Sequence, residues 1–387
     1  MNILLKKTIF IVSVSLFFAT ATQLSAQNIK LRTRAVIDLG YFGYDTYDDQ
    51  LYPSISDFRI GASFKRDNLS FKADFGISGK QISMKDVFVD WKINDKNSIR
   101  FGHGFEAMST EILTSSLDIP FNNFSLATSA LTTGRRLGAT YMHNSDCYHG
   151  AVGVYSDNNA NALFDPVNTS NAFSMSTRHL YRNSWNKKSF LQLGGAVSLR
   201  NIDQRTNYSE PAQFEFATGG FADLLGVEMQ TCIVNLAKAN VKTAAELLGT
   251  FGRFRVQAEY IASCVTRNQS LTGTTPDAYI PHGGYAQFSY LLGKNVNYNY
   301  DRHNAVSKAS DVGSIELNAR IDYLNLNSKG ANIYKGEQTN ITMGANWRLH
   351  KLCTIKWNVN YAFNDKYCNP DFSQNGFSTI ARVQFYY

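Results

Sequence analysis

Long apolar runs are what this chain has least of. Past its amino-terminal segment no stretch approaches 18 consecutive apolar residues, and the mean hydropathy is slightly negative. A membrane helix needs about 20 such residues, so helical spans are excluded. If the chain crosses a membrane, it must do so as a closed barrel, because hydrocarbon leaves no partner for an unpaired backbone N–H or C=O. Proline is scarce, 7 in 387 residues, and long helical periods are missing. The five cysteines, Cys147, Cys232, Cys264, Cys353 and Cys368, show no metal-ligand spacing, and their odd number leaves at least one thiol free. No cofactor is implied. Although His143 and His179 could face outward, no Ser-His-Asp spacing is readable, so no barrel hydrolase is expected. Neither an internal repeat nor a separate amino-terminal plug is present, which argues against a large active transporter. Only 18% of residues are charged and the formal net charge is +7, too mild for a nucleic-acid partner.

What is present begins at the carboxy-terminus. Phe377, Thr379, Ala381, Val383, Phe385 and Tyr387 share one face of a strand, while Ser378, Ile380, Arg382, Gln384 and Tyr386 share the other. One face suits lipid and the other a wet lumen. At the opposite end Lys6 and Lys7 precede an apolar run from Thr8 to Ala19, and a small-residue stretch offers cleavage after Ala26. Residues 1–26 are read as a signal peptide and 27–387 as one outer-membrane β-barrel. Cleavage removes two lysines and no acid, so the net charge falls from +7 to +5.

The same split recurs along the chain. Ile29, Leu31, Ala35, Ile37, Leu39 and Tyr41 oppose Lys30, Arg32, Arg34 and Asp38. Phe254, Val256, Ala258 and Tyr260 oppose Arg253, Arg255 and Glu259; Ile315, Leu317, Ala319, Ile321 and Tyr323 oppose Glu316, Arg320 and Asp322. Charges almost never enter the apolar faces, as expected if a lipid-facing Lys or Arg at midplane costs roughly 2–4 kcal/mol. The 21 Tyr and 26 Phe would supply two interfacial girdles. Short turns at 65–68, 93–97 and 143–146 alternate with polar stretches near 43–55, 157–172, 202–220, 265–280 and 294–312, the usual rim asymmetry of such barrels.

At roughly 20 to 24 residues per strand with its share of loop, residues 27–387 make about 16 antiparallel strands. The fold class is therefore all-β, a transmembrane antiparallel barrel wide enough for an aqueous channel. Glu106 to Gly134 is too long for a turn and too apolar for an exposed loop, so it is read as folded into the lumen to form the constriction. The predicted inner face carries more base than acid. Its candidate anion-binding residues are Lys30, Arg32, Arg34, Arg100, Arg136, Arg253, Arg255 and Arg320, since rings of Arg and Lys favour anions and a guanidinium fork suits phosphate oxygens. Lumen bases also pair with acids, and Arg320 beside Asp322 and Arg255 beside Glu259 are placed to do so. Asp45, Asp48 and Asp49 form an acidic loop that an ordinary solvated surface explains better than a Ca²⁺ site.

Segments Ser98–Gly104, Ile112–Ser116 and Gly134–Gly138 resemble a strand, inward loop and following strand of the phosphate-selective porin O and P family. Gln257–Tyr260, Gly283–Tyr285, Val312–Arg320, Thr342–Trp347 and Arg382–Phe385 follow in the family's order. The resemblance implies a 16-stranded outer-membrane porin, commonly a homotrimer, in which basic side chains draw small anionic or hydrophilic solutes through by passive diffusion. Outer-membrane lipid would be its other partner. The alternative is a plugged surface barrel whose long loops bind partner or host molecules.

Overall fold

In a computed structural model of the chain, the described residues are 29–387 apart from 45–46, 79–80, 157–170, 187, 204–211, 271–272, 310 and 370–374. The signal-peptide assignment and Asp45 lie outside them. Sixteen antiparallel strands close into a barrel. In order round the wall they are β1 (Ile29–Tyr44), β2 (Tyr47–Arg66), β3 (Leu69–Ser78), β4 (Gln81–Lys92), β5 (Asn97–Gly104), β6 (Arg136–Asn144), β7 (Tyr148–Ser156), β8 (Phe173–Asn186), β9 (Ser189–Asn201), β12 (Ala237–Phe251), β13 (Phe254–Arg267), β14 (His282–Leu292), β17 (Ile315–Asn325), β18 (Glu337–His350), β19 (Cys353–Asn364) and β20 (Asn375–Tyr386). Four short strands form two hairpins apart from the wall, β10 (Gln213–Thr218) with β11 (Gln230–Asn235), and β15 (Tyr298–Asp301) with β16 (Val306–Ala309).

Closure is made by β1 on β20, with Arg34 opposite Tyr386 and the Thr33 N–H donating to the Tyr387 carbonyl at 3.1 Å. Among the sixteen wall strands none is left with an open edge, which is the condition for crossing hydrocarbon. The side-chain alternation is the inverse of a soluble protein's. Outward positions are apolar and exposed, Leu31 at 66% for instance, whereas inward Asn358 and Thr342 are fully buried. Most of the inner face is polar and meets the connections folded into the lumen.

Connections alternate between rims. The rim bearing the described termini carries the short links at 67–68, 93–96, 145–147, 252–253 and 351–352. One expectation fails here: the stretch near 294–312 belongs to this short-turn rim, because it joins β14 to β17, and it is long because it holds the β15–β16 hairpin. A second also fails. Residues 47–55 are no loop but an extension of β2, paired with β1 as far as Tyr44 opposite Tyr47. Asp48 and Asp49 therefore sit on a strand.

The β3–β4 ladder slips between Ala73 and Phe75, leaving Lys85 and Asp86 together opposite Asp74. Such a bulge sets an extra residue into the wall and re-aims its neighbours. Gly76 makes room for it, since a Cβ there would lie 2.5 Å from Lys85 Cε.

The space inside the wall is divided. Met108, Leu126, Ala127 and Leu131 from the 105–135 connection pack with Phe216, Cys232 and Val234 of the β10–β11 hairpin and with Ile261, Val265 and Leu324 of the wall. Farther along that hairpin's connection, Phe221, Ala222 and Met229 pack on Phe42 and Ile380. These two apolar clusters occupy the part of the interior next to β12–β20. The part next to β1–β5 is left for a cavity.

Candidate functional site: a basic lumen cavity

Backbone and wall polar groups hold residues 106–134 against the filled side. The Glu111 N–H donates to Glu259 Oε1 at 2.7 Å and the Thr110 hydroxyl to Glu246 Oε2 at 2.6 Å. Farther along, the Asn122 N–H donates to Asn358 Oδ1 at 2.7 Å and the Leu126 N–H to Asp322 Oδ1 at 3.1 Å. In return Lys356 donates to the Ile119 carbonyl and Arg382 to the Asn122 carbonyl, each at 2.7 Å. These partners come from five wall strands, β12, β13, β17, β19 and β20, so the segment is fixed across the barrel interior. Two short helices, Thr110–Leu113 and Leu126–Leu131, are capped by Ser109 and Ser125, whose hydroxyls accept from Ile112 N–H and Thr128 N–H. Burial pushes the Glu111 carboxyl up from its ordinary range, against the opposing pull of Arg320.

The hairpin β15–β16 enters from the short-turn rim. Its backbone carbonyls accept from wall side chains: Asn304 from Arg178 Nη1 at 2.9 Å, Ala305 from Gln192 Nε2 at 3.0 Å and Ser307 from Arg255 Nη1 at 3.0 Å. Backbone buried away from water must find such partners, and the lumen-facing polar residues supply them.

Between these two elements and the β1–β5 wall lies a cavity of about 480 Å³. Seven of its lining residues are basic, Arg32, Arg34, Arg59, Lys72, Arg100, Arg135 and Lys308, against four acids, Asp74, Asp86, Asp118 and Asp301. The ion pairs share carboxylates. Asp57 meets Arg34 at 2.9 Å and Arg59 at 2.8 Å. Asp74 meets Arg32 and Lys72, both at 3.2 Å, and Asp86 meets Lys72 and Arg135, both at 2.6 Å. Three carboxylates thus serve five cations, and positive charge is left over on a partly wetted wall. Arg100 lies 3.9 Å above the Phe88 ring and Arg135 4.0 Å above Phe105, contacts that fix each guanidinium by its face and leave its N–H edge directed elsewhere.

Of the residues singled out from sequence, Arg32, Arg34 and Arg100 line this cavity. Lys30 is exposed near the start of β1, and Arg253 is exposed in the turn before β13. Arg136 donates to the Arg135 carbonyl at 2.9 Å and stands outside the lining. Arg255 and Arg320 are fully buried on the filled side. The pairing expected of Arg320 with Asp322 is present at 3.0 Å. That of Arg255 with Glu259 is not: Arg255 bonds Glu316 at 3.3 Å on the neighbouring strand pair, while Glu259 is taken up by Glu111 N–H and Tyr285. Arg59, between Phe58 and Ile60, and Lys72, between Phe71 and Ala73, carry the alternating pattern of an inner-face base. Arg135 and Lys308 were not singled out, although Arg135 stands in the Gly134–Gly138 segment beside Arg136. Among the described residues no group of three His, Cys, Asp or Glu is placed to hold a metal.

The sequence profile of the phosphate-selective porin O and P family matches residues 29–385. The chain belongs to that family. No curated protein matches it. Among solved structures, the anion-selective porin from Comamonas acidovorans superposes with a TM-score of 0.58 at 12% identity, covering 93% of this chain and 99% of that one. OprB of Pseudomonas putida gives 0.57 at 10%, covering 96% and 97%. The trimer form of OmpT from Vibrio cholerae gives 0.56 at 10%, covering 93% and 100%. At such identities the likeness is one of fold, and it is the family match that makes the chain a porin of the outer membrane.

Proposed function

We propose that this porin passes small anions, phosphate-like oxyanions among them, by passive diffusion along the β1–β5 side of its lumen. The observation that carries the reading is the sharing of Asp57, Asp74 and Asp86 among five cations. An oxyanion arriving there exchanges water for charge-assisted bonds from guanidinium edges, and the nearby carboxylates keep any one site weak enough to leave. Residues 106–134 act as the constriction, with the hairpin opposite. Binding and positioning suffice, and no catalytic step is assigned. The chain is exported with residues 1–26 as a cleaved signal peptide, and three copies associate, a state that one structural neighbour is described in.

A second reading, a plugged barrel whose loops bind partners, draws on the apolar filling of the rest of the interior. Planar-bilayer recordings of the purified protein separate the two. Current steps that phosphate blocks support the anion channel, steps indifferent to phosphate mean a general porin, and no steps favour the plug.

A further inference from the structure

Arg100, a cavity arginine, is in contact with a residue at the hairpin tip. Its Nε and Nη2 donate to Asp90 at 2.7 and 3.1 Å, its face rests on Phe88, and Nη2 also reaches His303 Nε2 at 2.8 Å. A guanidinium only donates, so the imidazole nitrogen accepts. Asp90 Oδ2 stands 3.5 Å from the same nitrogen.

The hairpin presents His303 deliberately. Asp301 accepts from the His303 N–H and from the Asn304 side chain, each at 2.9 Å. Ala305 takes a φ of 54°, a left-handed conformation that costs a residue with a Cβ and persists where its surroundings impose it. Arg302 also meets Asp146 in the 145–147 turn of the same short-turn rim, both largely exposed, and such a pair holds weakly. The backbone of the turn is held by buried bonds, Arg178 on the Asn304 carbonyl and Gln192 on the Ala305 carbonyl, and the stem by Arg255 on the Ser307 carbonyl. A firm backbone carries a half-exposed imidazole, so the part that can move is the His303 side chain.

Location gives that movement a consequence. Arg100 lines the lumen cavity, whereas Asp90 and His303 line a second cavity of about 400 Å³ that opens among the short turns 67–68 and 94–97. The contact stands between the two. We propose that His303 is a displaceable cap on Arg100: a permeating oxyanion takes the Nη2 donor from the imidazole, the ring swings aside on its fixed turn, and the lumen cavity joins the outlet on the short-turn rim. An anionic acceptor outcompetes a neutral ring nitrogen, since charge-assisted bonds are roughly twice as strong. His303 would then be a selectivity residue, favouring solutes that can replace it. This rests on the channel reading of the cavity.

The test compares wild type with His303→Ala, His303→Gln and Arg302→Ala in planar bilayers under a KCl gradient with phosphate added. Removing the cap is expected to raise single-channel conductance and to weaken the advantage of phosphate over chloride. Gln, whose amide oxygen still accepts from Arg100, restores wild-type behaviour, and Arg302→Ala, which releases the exposed clamp next to His303 without touching Arg100, shifts conductance in the same direction as His303→Ala. A conducting wild type with an unchanged His303→Ala overturns the cap alone. No current from any of the four overturns the channel reading and the cap with it.

Discussion

Lys308 of the hairpin and Asp118 of the inward segment, 190 residues apart, meet at 3.3 Å beside the lumen cavity. One element comes from each rim, and this half-exposed pair joins them. Exposed pairs contribute about 0–1 kcal/mol, so either charge can be removed without unfolding the barrel.

Substituting that pair should therefore act on permeation and not on stability. Asp118→Ala removes a negative charge from the cavity and should move the reversal potential toward that of the anion, while Lys308→Ala should move it the other way. Unchanged heat resistance of the barrel on gels checks that only permeation has responded.

Asp57→Asn should strengthen anion preference. It leaves Arg34 and Arg59, now both paired to one carboxylate, facing the lumen without it. Tighter phosphate block than in wild type is the expected reading, and Arg59→Ala should weaken that block.

Arg178 and Glu246 behave differently because both are fully buried, bonded at 2.8 Å. Breaking a buried pair from one side strands the other charge and costs roughly 3–5 kcal/mol. Arg178→Ala should lower the denaturation midpoint of the detergent-solubilised barrel accordingly, and Arg178→Met with Glu246→Gln should recover most of the loss.

Glu111 links the inward segment to pH. Its carboxyl is raised by burial, so the docked segment favours the protonated form. The contribution to docking is complete below the ordinary carboxylate range and is lost as pH rises through the raised value. Amide exchange at Ser125 and Leu126, which depend on Glu111 Oε2 and Asp322, should quicken with pH in wild type beyond the intrinsic chemical rate and lose that excess in Glu111→Gln.

How far the sequence shows these features depends on their range. Strands were readable because period two is local: Leu31, Ile37 and Leu39 turn outward whatever lies across the barrel. Arg32 and Arg320 carry the same local signature, an inward base on an alternating strand, yet one lines a cavity and the other is buried over Phe121. That difference is made by residues 105–135 and the β10–β11 hairpin, which fill one side of the interior and leave the other open. Their docking runs through contacts such as Asn122 with Asn358, 236 residues apart, and no local pattern encodes it. Arg255 shows the same limit on a smaller scale, since its partner is chosen across strands by Glu316 and not along its own strand by Glu259. The hairpin β15–β16 reads as an ordinary polar loop because its contacts, through backbone at Asn304 and Ala305 and through side chains such as Tyr300 on Gln192, go to wall residues that no local pattern points to.

The central claim is that cations held in excess on the β1–β5 wall select for anions. It is tested most directly by the reversal potential of single wild-type channels in a KCl gradient, set beside Arg32→Ala/Arg34→Ala/Arg59→Ala. Anion selection predicts a wild-type potential on the chloride side of zero that falls toward zero in the triple variant. A wild-type potential at zero or on the potassium side contradicts it.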